Sequence, residues 1–542
     1  TILLFRSCVC LPMRSRCMSD MFSLNEEYVK DENKRLSFEN TLPVHEKVAR
    51  PRFTREPLKS EKMNLAYFTF FCLVAANVCL VCGLGNFSGR NQPPLFGDFE
   101  AQRHWMEVTY NLPPADWYRN TSENDLLYWG LDYPPLTAYH SYAMGYLAAK
   151  VNPAWIRLYS SRGIEELAHK VFMRATAFVS HATVFFPAVW LFLSTQGNLP
   201  RVSKTVQSFL ILLYPGLISV DHGHFQYNSI SLGFFIASYS FLVQSRLFSG
   251  SVFFVLALNY KQMELYHSLP IFVYILGRCL RQPLLHNSLD KLFQVSLTVI
   301  LTFGALWAPF VLWGSFDYLP IILGRIFPFY RGLFEDKVGS FWCASSWLIK
   351  WNRLLTTEQL IKLSTGLVLT VSSPALFFLF RRTSSRNFRI VLFAVSLCFF
   401  LFSFQVHEKS ILLPASAAFL LLGDEPELAA TFLHVSNTSL FSLCVKDGNE
   451  WHLTLFVFYA LSLFLLLPLR PSSLLFLRFL IPLLACLAEL LLLPPPSLPH
   501  IFPLLSAVVS CSSFILDLFN TYIIIFREST SFLTNDKKCK AQ

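Results

Sequence analysis

Charge is what this sequence has least of. Only 15% of its 542 residues are Asp, Glu, Lys or Arg, against about 25% in an ordinary soluble domain, which argues against a chain kept in solution by a charged surface. Regular cysteine spacing is missing too. The 13 cysteines are scattered, and the one tight pair, Cys79 and Cys82, lies inside an apolar run, so packing is expected rather than a zinc site or a disulfide framework. No aromatic-interleaved basic block accompanies the net charge of +10, which argues against nucleic acid as a partner. Residues 1–62 hold no continuous apolar core followed by a small-residue cleavage site, so they are expected to form a polar cytosolic tail rather than a cleaved signal peptide.

Apolar residues fill the space that charge leaves. Hydrophobic residues make up 53% of the chain, with 54 phenylalanines, and runs near the ~20 residues that span a bilayer as a helix recur from residue 64 to residue 526. They are continuously apolar rather than alternating, which favours helices over a barrel. The expectation is an all-α polytopic membrane protein with about fourteen transmembrane helices, a membrane domain over 63–526 and a cytosolic tail over 527–542.

Arg50, Arg52, Arg55, Lys59 and Lys62 precede the first span and place the N-terminus in the cytosol by the positive-inside rule. Residues 86–170 then form a long lumenal first loop, which carries glycosylation sequons at Asn86 and Asn120. Within it Tyr133–Lys150 is read as an interfacial helix. Counting it as a span would turn most later basic clusters, including Arg381, Arg382, Arg386 and Arg389, towards the lumen. The other spans are expected to begin near residues 171, 205, 226, 248, 266, 291, 358, 388, 410, 427, 452, 472 and 499. Lys538 and Lys540 have the spacing of a cytosolic dilysine retrieval signal of the endoplasmic reticulum, with a plain basic tail as the alternative.

On this topology four polar stretches reach the lumenal side: Gly97–Glu107 with Leu131–Pro135, Asp221–Asn228, Arg325–Lys337 and Gln405–Lys409. Charges close to a bilayer are costly unless they pair or line a wet cavity, so these loops are functional candidates. Asp98 is the best candidate for a general base, since partial desolvation raises a carboxyl towards the working range; Gly97 before it allows close approach of a substrate. The alternative is that Asp98 caps the helix that follows. Asp132 either orients a substrate hydroxyl or only forms the turn before Pro134 and Pro135. His222 and His224 lack further ligands nearby, which argues against a metal. Arg325, Arg331, His407 and Lys409 suit a phosphate, or pair with Glu335, Asp336 and Glu408.

Together GDFEAQRHW, YWGLDYPPLTAYHS, SRGIEELAHKVFMR, DHGHFQYN, RGLFEDKVGSFWC and QVHEKSILLP resemble the dolichyl-phosphate-glucose-dependent alpha-1,3-glucosyltransferases of the endoplasmic reticulum, over about residues 62–526. The first-loop motif and the Tyr-Trp-Gly before Leu131 resemble the branch that adds the first glucose to lipid-linked oligosaccharide for asparagine-linked glycosylation; the sister enzyme adding the second glucose is the alternative. A lipid or solute transporter is the alternative of another class, but no internal repeat is visible. The resemblance implies a GT-C fold and two substrates, dolichyl phosphate glucose and a dolichyl-diphosphate-linked oligosaccharide. It implies inversion by single displacement, no cofactor and no metal, and a monomer in membrane lipid. Asp98 matches the catalytic aspartate. Asp132 would orient the acceptor, and His407 and Lys409, with Arg325 or Arg331, would meet the leaving phosphate. His222 would touch the donor, and Glu100, Arg103, His104, Trp105, Tyr133 and Glu408 complete the implied substrate-binding set. Tyr330 departs from the family pattern, where an acidic residue is expected.

Overall fold

The first span begins where Asn64 turns its side chain back to accept the Ala66 amide at 3.0 Å, capping a helix, α1, over Leu65–Leu84. The computed structural model describes residues 63–197, 200–328, 332–334 and 337–540, with side chains as far as Thr530. The tail 1–62, Arg331, Tyr330, Glu335 and Asp336 lie outside the described residues. Those residues form helices and turns, with one isolated β-bridge, Phe334 to Val406.

Eight helices among the described residues are long and apolar enough to cross a membrane. Every one of the fourteen expected span starts falls within six residues of a helix start, yet several helices are too short to count by length. Proline is one reason. Lys204–Leu212 stops ahead of Pro215, after which the chain continues as Pro215–Ile218 and a π-helical turn, Ser219–Phe225. The last helix, Ile501–Lys540, runs past residue 526 into what the sequence suggested was a separate tail.

Ser385–Phe402 and Pro426–Lys446 are mostly buried, whereas Leu285–Gly314 is buried over only 11% of its apolar window and faces outward. At one end of the bundle the basic clusters are tied together. Arg389 bonds Asp424 and the Tyr239 hydroxyl, Arg386 bonds Glu425 at 2.6 Å, and the Arg201 amide bonds the Gly423 carbonyl at 2.8 Å. The acidic turn 423–427 therefore neutralises the arginines that the positive-inside rule gathers there.

At the other end the first loop folds as α2, Gly97–Asn111, packed on α3, Pro135–Val151. α3 is the helix expected on the surface, and it is not among the candidate spans. α2 is buried through a lattice of charge. Arg103 bonds Glu100 through Nη2 at 2.6 Å and Nε at 2.8 Å, Glu107 at 2.6 Å and Ser161 at 2.6 Å. Glu100 also accepts the Tyr128 hydroxyl at 2.8 Å, and Glu107 accepts the Tyr159 amide at 2.9 Å. Such a buried cluster holds geometry only while every member stays paired. Burial alone would raise the Glu107 carboxyl, but His104 and Arg103 outweigh it and hold the pKa at about 2. Where α2 crosses α3, a side chain at Gly145 would meet the Met106 carbonyl at 2.6 Å.

Three outcomes follow. Arg103→Leu leaves two buried carboxylates unpaired and is expected to cost about 3–5 kcal/mol, read as a lowered Tm of the detergent-solubilised protein; an unchanged Tm would mean the lattice does not hold α2. Because the folded pKa of Glu107 is depressed, its contribution is present above the ordinary value of 4.5 and is lost as pH falls towards about 2. Gly145→Val is expected to separate α2 from α3 and lower both Tm and activity.

Candidate active site

The entry to α2 is a crossing of two backbones. A Cβ on Gly97 would lie 2.6 Å from the Ser88 carbonyl carbon, and Gly97 has φ +66°, a region that glycine adopts without penalty. Gly97 therefore admits another stretch of chain rather than a substrate. Phe96 is the N-cap and makes no side-chain cap bond, so Asp98, one residue inside the helix, does not cap it.

The Asp98 side chain instead points at three distant donors. Its Oδ2 accepts from Gln226 Nε2 at 2.6 Å, Lys409 Nζ at 2.7 Å and His224 Nε2 at 3.1 Å. Oδ1 has no partner among the described residues, and the side chain is 24% exposed, so one oxygen is held and the other faces open space. Burial alone would raise this carboxyl, but Lys409 and His224 outweigh it and hold it well below the usual carboxylate range.

Each donor is placed by its own local structure. His224 and Gln226 flank Phe225, whose φ of 92° is unusual for a bulky residue and turns both neighbours towards Asp98. Arg174 steadies this turn from behind, donating to the Gly223 and Asn86 carbonyls at 2.8 and 3.1 Å. Lys409 sits in the short 3-10 turn Glu408–Ile411. That turn is braced by the loop before it in sequence, through the Gln405 amide to the Leu333 carbonyl at 2.8 Å and Gln405 Nε2 to the Pro328 carbonyl at 3.2 Å. Burial would lower the Lys409 pKa, but Asp98 and Glu408 raise it. Glu408 is held below the usual range because His407 and Lys409 overcome its burial.

Four residues join the site that sequence reasoning did not select, and the first is His224, where His222 was expected. Lys261, between two apolar helices, donates to Gln226 Oε1 at 2.9 Å and Asn228 Oδ1 at 2.7 Å and stands 5.0 Å from the Tyr133 ring centre. Burial brings its pKa down to about 8. A lone lysine between apolar runs was itself a signal. Gln226 lay in a motif that sequence reasoning quoted but read for its histidines. Asp447 accepts His224 Nδ1 at 2.7 Å, and nothing in its Lys-Asp-Gly turn distinguishes it.

The remaining candidates fall into two groups. Tyr133 and Asp132 flank this lattice: the Asp132 carbonyl accepts Gln262 Nε2 at 3.3 Å, and the Asp132 charge bears on Lys261. His407 bonds Glu408 at 2.9 Å and is 34% exposed, within reach of a ligand. The others are placed differently from expectation. Glu100 and Arg103 spend their polar atoms inside the buried lattice, His104 is buried against Glu107, and Trp105 donates to the Trp129 carbonyl at 2.8 Å. Arg325 binds the Gly130 carbonyl at 2.9 Å and the Leu131 carbonyl at 3.4 Å, so it shapes the turn before Asp132. His222 turns away from Asp98 and bonds His181 at 2.9 Å; with Cys79 these two bring ligand atoms within 4.8 Å of one another.

Residues 70–520 match the ALG6, ALG8 glycosyltransferase family. The chain is 46% identical over 460 residues to a Caenorhabditis elegans protein named probable dolichyl pyrophosphate Man9GlcNAc2 alpha-1,3-glucosyltransferase, covering 85% of this chain and 88% of the relative. It is 47% identical over 388 residues to the Gallus gallus protein named dolichyl pyrophosphate Man9GlcNAc2 alpha-1,3-glucosyltransferase, covering 72% and 76%. The Mus musculus protein of that name is 41% identical over 490 residues, covering 84% and 96%. With the match covering residues 70–520 and every loop that meets Asp98, this chain belongs to the ALG6, ALG8 glycosyltransferase family.

Proposed function

We propose that this chain transfers the first glucose from dolichyl phosphate glucose, in alpha-1,3 linkage, onto the dolichyl-diphosphate-linked high-mannose oligosaccharide in the lumen of the endoplasmic reticulum. The names of its relatives supply the acceptor and the linkage. The observation that carries the chemistry is Asp98, ionised, fixed through Oδ2 by three donors and open at Oδ1. The membrane domain is a GT-C arrangement of about fourteen helices acting as a monomer, with both termini cytosolic and the Asp98 end lumenal. The arginine clusters gathered at the other end, where Arg386 and Arg389 meet the acidic turn 423–427, support that orientation.

The donor is a β-glycosyl phosphate and the product is alpha, so the acceptor oxygen attacks the anomeric carbon from the face opposite the phosphate. As that C–O bond forms, the acceptor hydroxyl gives its proton to Asp98 Oδ1. The bond from the anomeric carbon to the phosphate oxygen breaks, and its electron pair leaves with dolichyl phosphate. Lys409, bonded to Asp98, and His407, two residues before it in the chain, supply fixed positive charge for that leaving group. Neither step calls for a metal, since side chains neutralise the leaving phosphate.

The deciding experiment is glucose transfer by the purified protein in detergent with a chelator present, wild type against Asp98→Asn. Loss of about 10²–10⁴-fold with folding and donor binding retained is the expected result. Full activity in the variant would move the base to another carboxylate, Asp132 first, and transfer only to a monoglucosylated acceptor would point to the second-glucose reaction. Lys409→Gln is expected to let the Asp98 pKa rise towards the ordinary carboxylate range. Since the base must be ionised, the acid side of the kcat/KM profile should then move to higher pH; an unmoved profile would show that Lys409 does not set that ionisation.

A further inference from the structure

His224 lies between two carboxylates. Its Nδ1 is 2.7 Å from Asp447 Oδ2 and its Nε2 is 3.1 Å from Asp98 Oδ2, and the His224 and Asp447 side chains are 6% and 4% exposed. A neutral imidazole carries one N–H and can donate to only one of these acceptors; donating to both requires the imidazolium. Two carboxylates, Asp98 and Asp447, then meet two cations, His224 and Lys409, and hold them together although Lys409 Nζ and His224 Nε2 face each other at 3.2 Å.

We propose that Asp447 is a positioning residue for the transfer reaction: it holds His224 as a doubly protonated ring that, with Lys409 and Gln226, fixes Asp98 Oδ2 and so leaves Oδ1 alone to take the acceptor proton. This rests on Asp98 being the base. The groups facing the ring are Asp98 from α2, Lys409 from the 408–411 turn and Asp447 from the end of Phe441–Lys446, while on the far side the Asp447 charge bears on Arg174 and on His452, whose ring burial holds at a pKa of about 4. Burial and Lys409 work against the cation, and the two carboxylates overcome them, so the His224 pKa is raised. Asp447 itself is set by its helix end. The chain turns at Gly448, φ +70°, and the next residue, Asn449, exchanges hydrogen bonds with the Asn86 backbone at 2.9 and 3.0 Å. The site is thereby locked to the end of the first span.

The ring's role makes a signed expectation. His224 is charged below its raised pKa, so activity falls on the alkaline side as that proton leaves. Removing one of the two carboxylates lowers the pKa and brings the fall to lower pH. With purified full-length protein, Asp447→Asn is expected to reduce kcat about tenfold with the donor KM little changed, and to move the alkaline fall down by about one pH unit. If the pair acts as a unit, the double variant Asp447→Asn, His224→Gln is no slower than His224→Gln alone. A wild-type pH profile in Asp447→Asn, or losses that multiply in the double variant, would overturn the proposal. Should Asp447→Asn fail to fold, His224→Gln decides alone: the alkaline fall should vanish, and its persistence would sink the idea. Asp98→Asn separates the two readings. An active Asp98→Asn removes the base, whereas an inactive Asp98→Asn beside a wild-type-like Asp447→Asn removes only the positioning role.

Discussion

One ion pair organises the Asp98 end of this protein. Lys409 reaches Asp98 across 311 residues of sequence at 2.7 Å, joining the first loop after α1 to the turn after Ser385–Phe402. Without Asp98, Lys409 would lose its nearest counter-ion in a largely buried position, which costs several kcal/mol. The first loop, the turn 405–409 and the segment 219–228 must therefore come together before any of them is stable in place. What results is an ionised carboxylate with one oxygen committed to the protein and the other uncommitted, which is the form a base needs before it meets its substrate.

Around that pair the protein separates two kinds of charge. The inner lattice of Glu100, Arg103 and Glu107 is closed: its donors and acceptors meet one another, and its work is to hold α2 still. The lattice of Asp98, His224, Gln226, Lys261 and Lys409 is open at Asp98 Oδ1 and bordered by the partly exposed His407. Both draw on one 15-residue helix, which carries Asp98 two residues before Glu100 and five before Arg103. Rigidity of the first lattice is what makes the geometry of the second reproducible, since a catalytic group displaced by about 1 Å loses much of its effect.

The family of motifs and the sidedness of the loops were legible because they depend on local properties: apolar length, basic clusters at span ends, and polar residues standing near lipid. Asp98 was legible as a candidate for the same reason, though spacing alone left it open to a capping role that Phe96 in fact occupies. The histidines of DHGHFQYN show where such reading stops. His222 and His224 are equivalent by composition, and the π-helical turn with Phe225 at positive φ sends one to His181 and the other to Asp98. Lys261 and Asp447 were passed over because each matters only through a partner contributed by a different loop.

By itself the sequence determined that the chain is a helical membrane protein, which of its loops share a side, and that Asp98 sits in a motif resembling a glucosyltransferase base. Those facts follow from hydrophobic length and charge, which are additive along a chain. Tertiary structure alone decided that Arg103 and Glu100 brace α2, that Arg325 shapes the Leu131 turn, and that His224, Gln226 and Lys409 converge on one carboxylate oxygen. The physical reason is that pairing is a property of distance between groups far apart in sequence, and in a low-dielectric interior a few ångströms decide whether a charge is a structural anchor or a reagent.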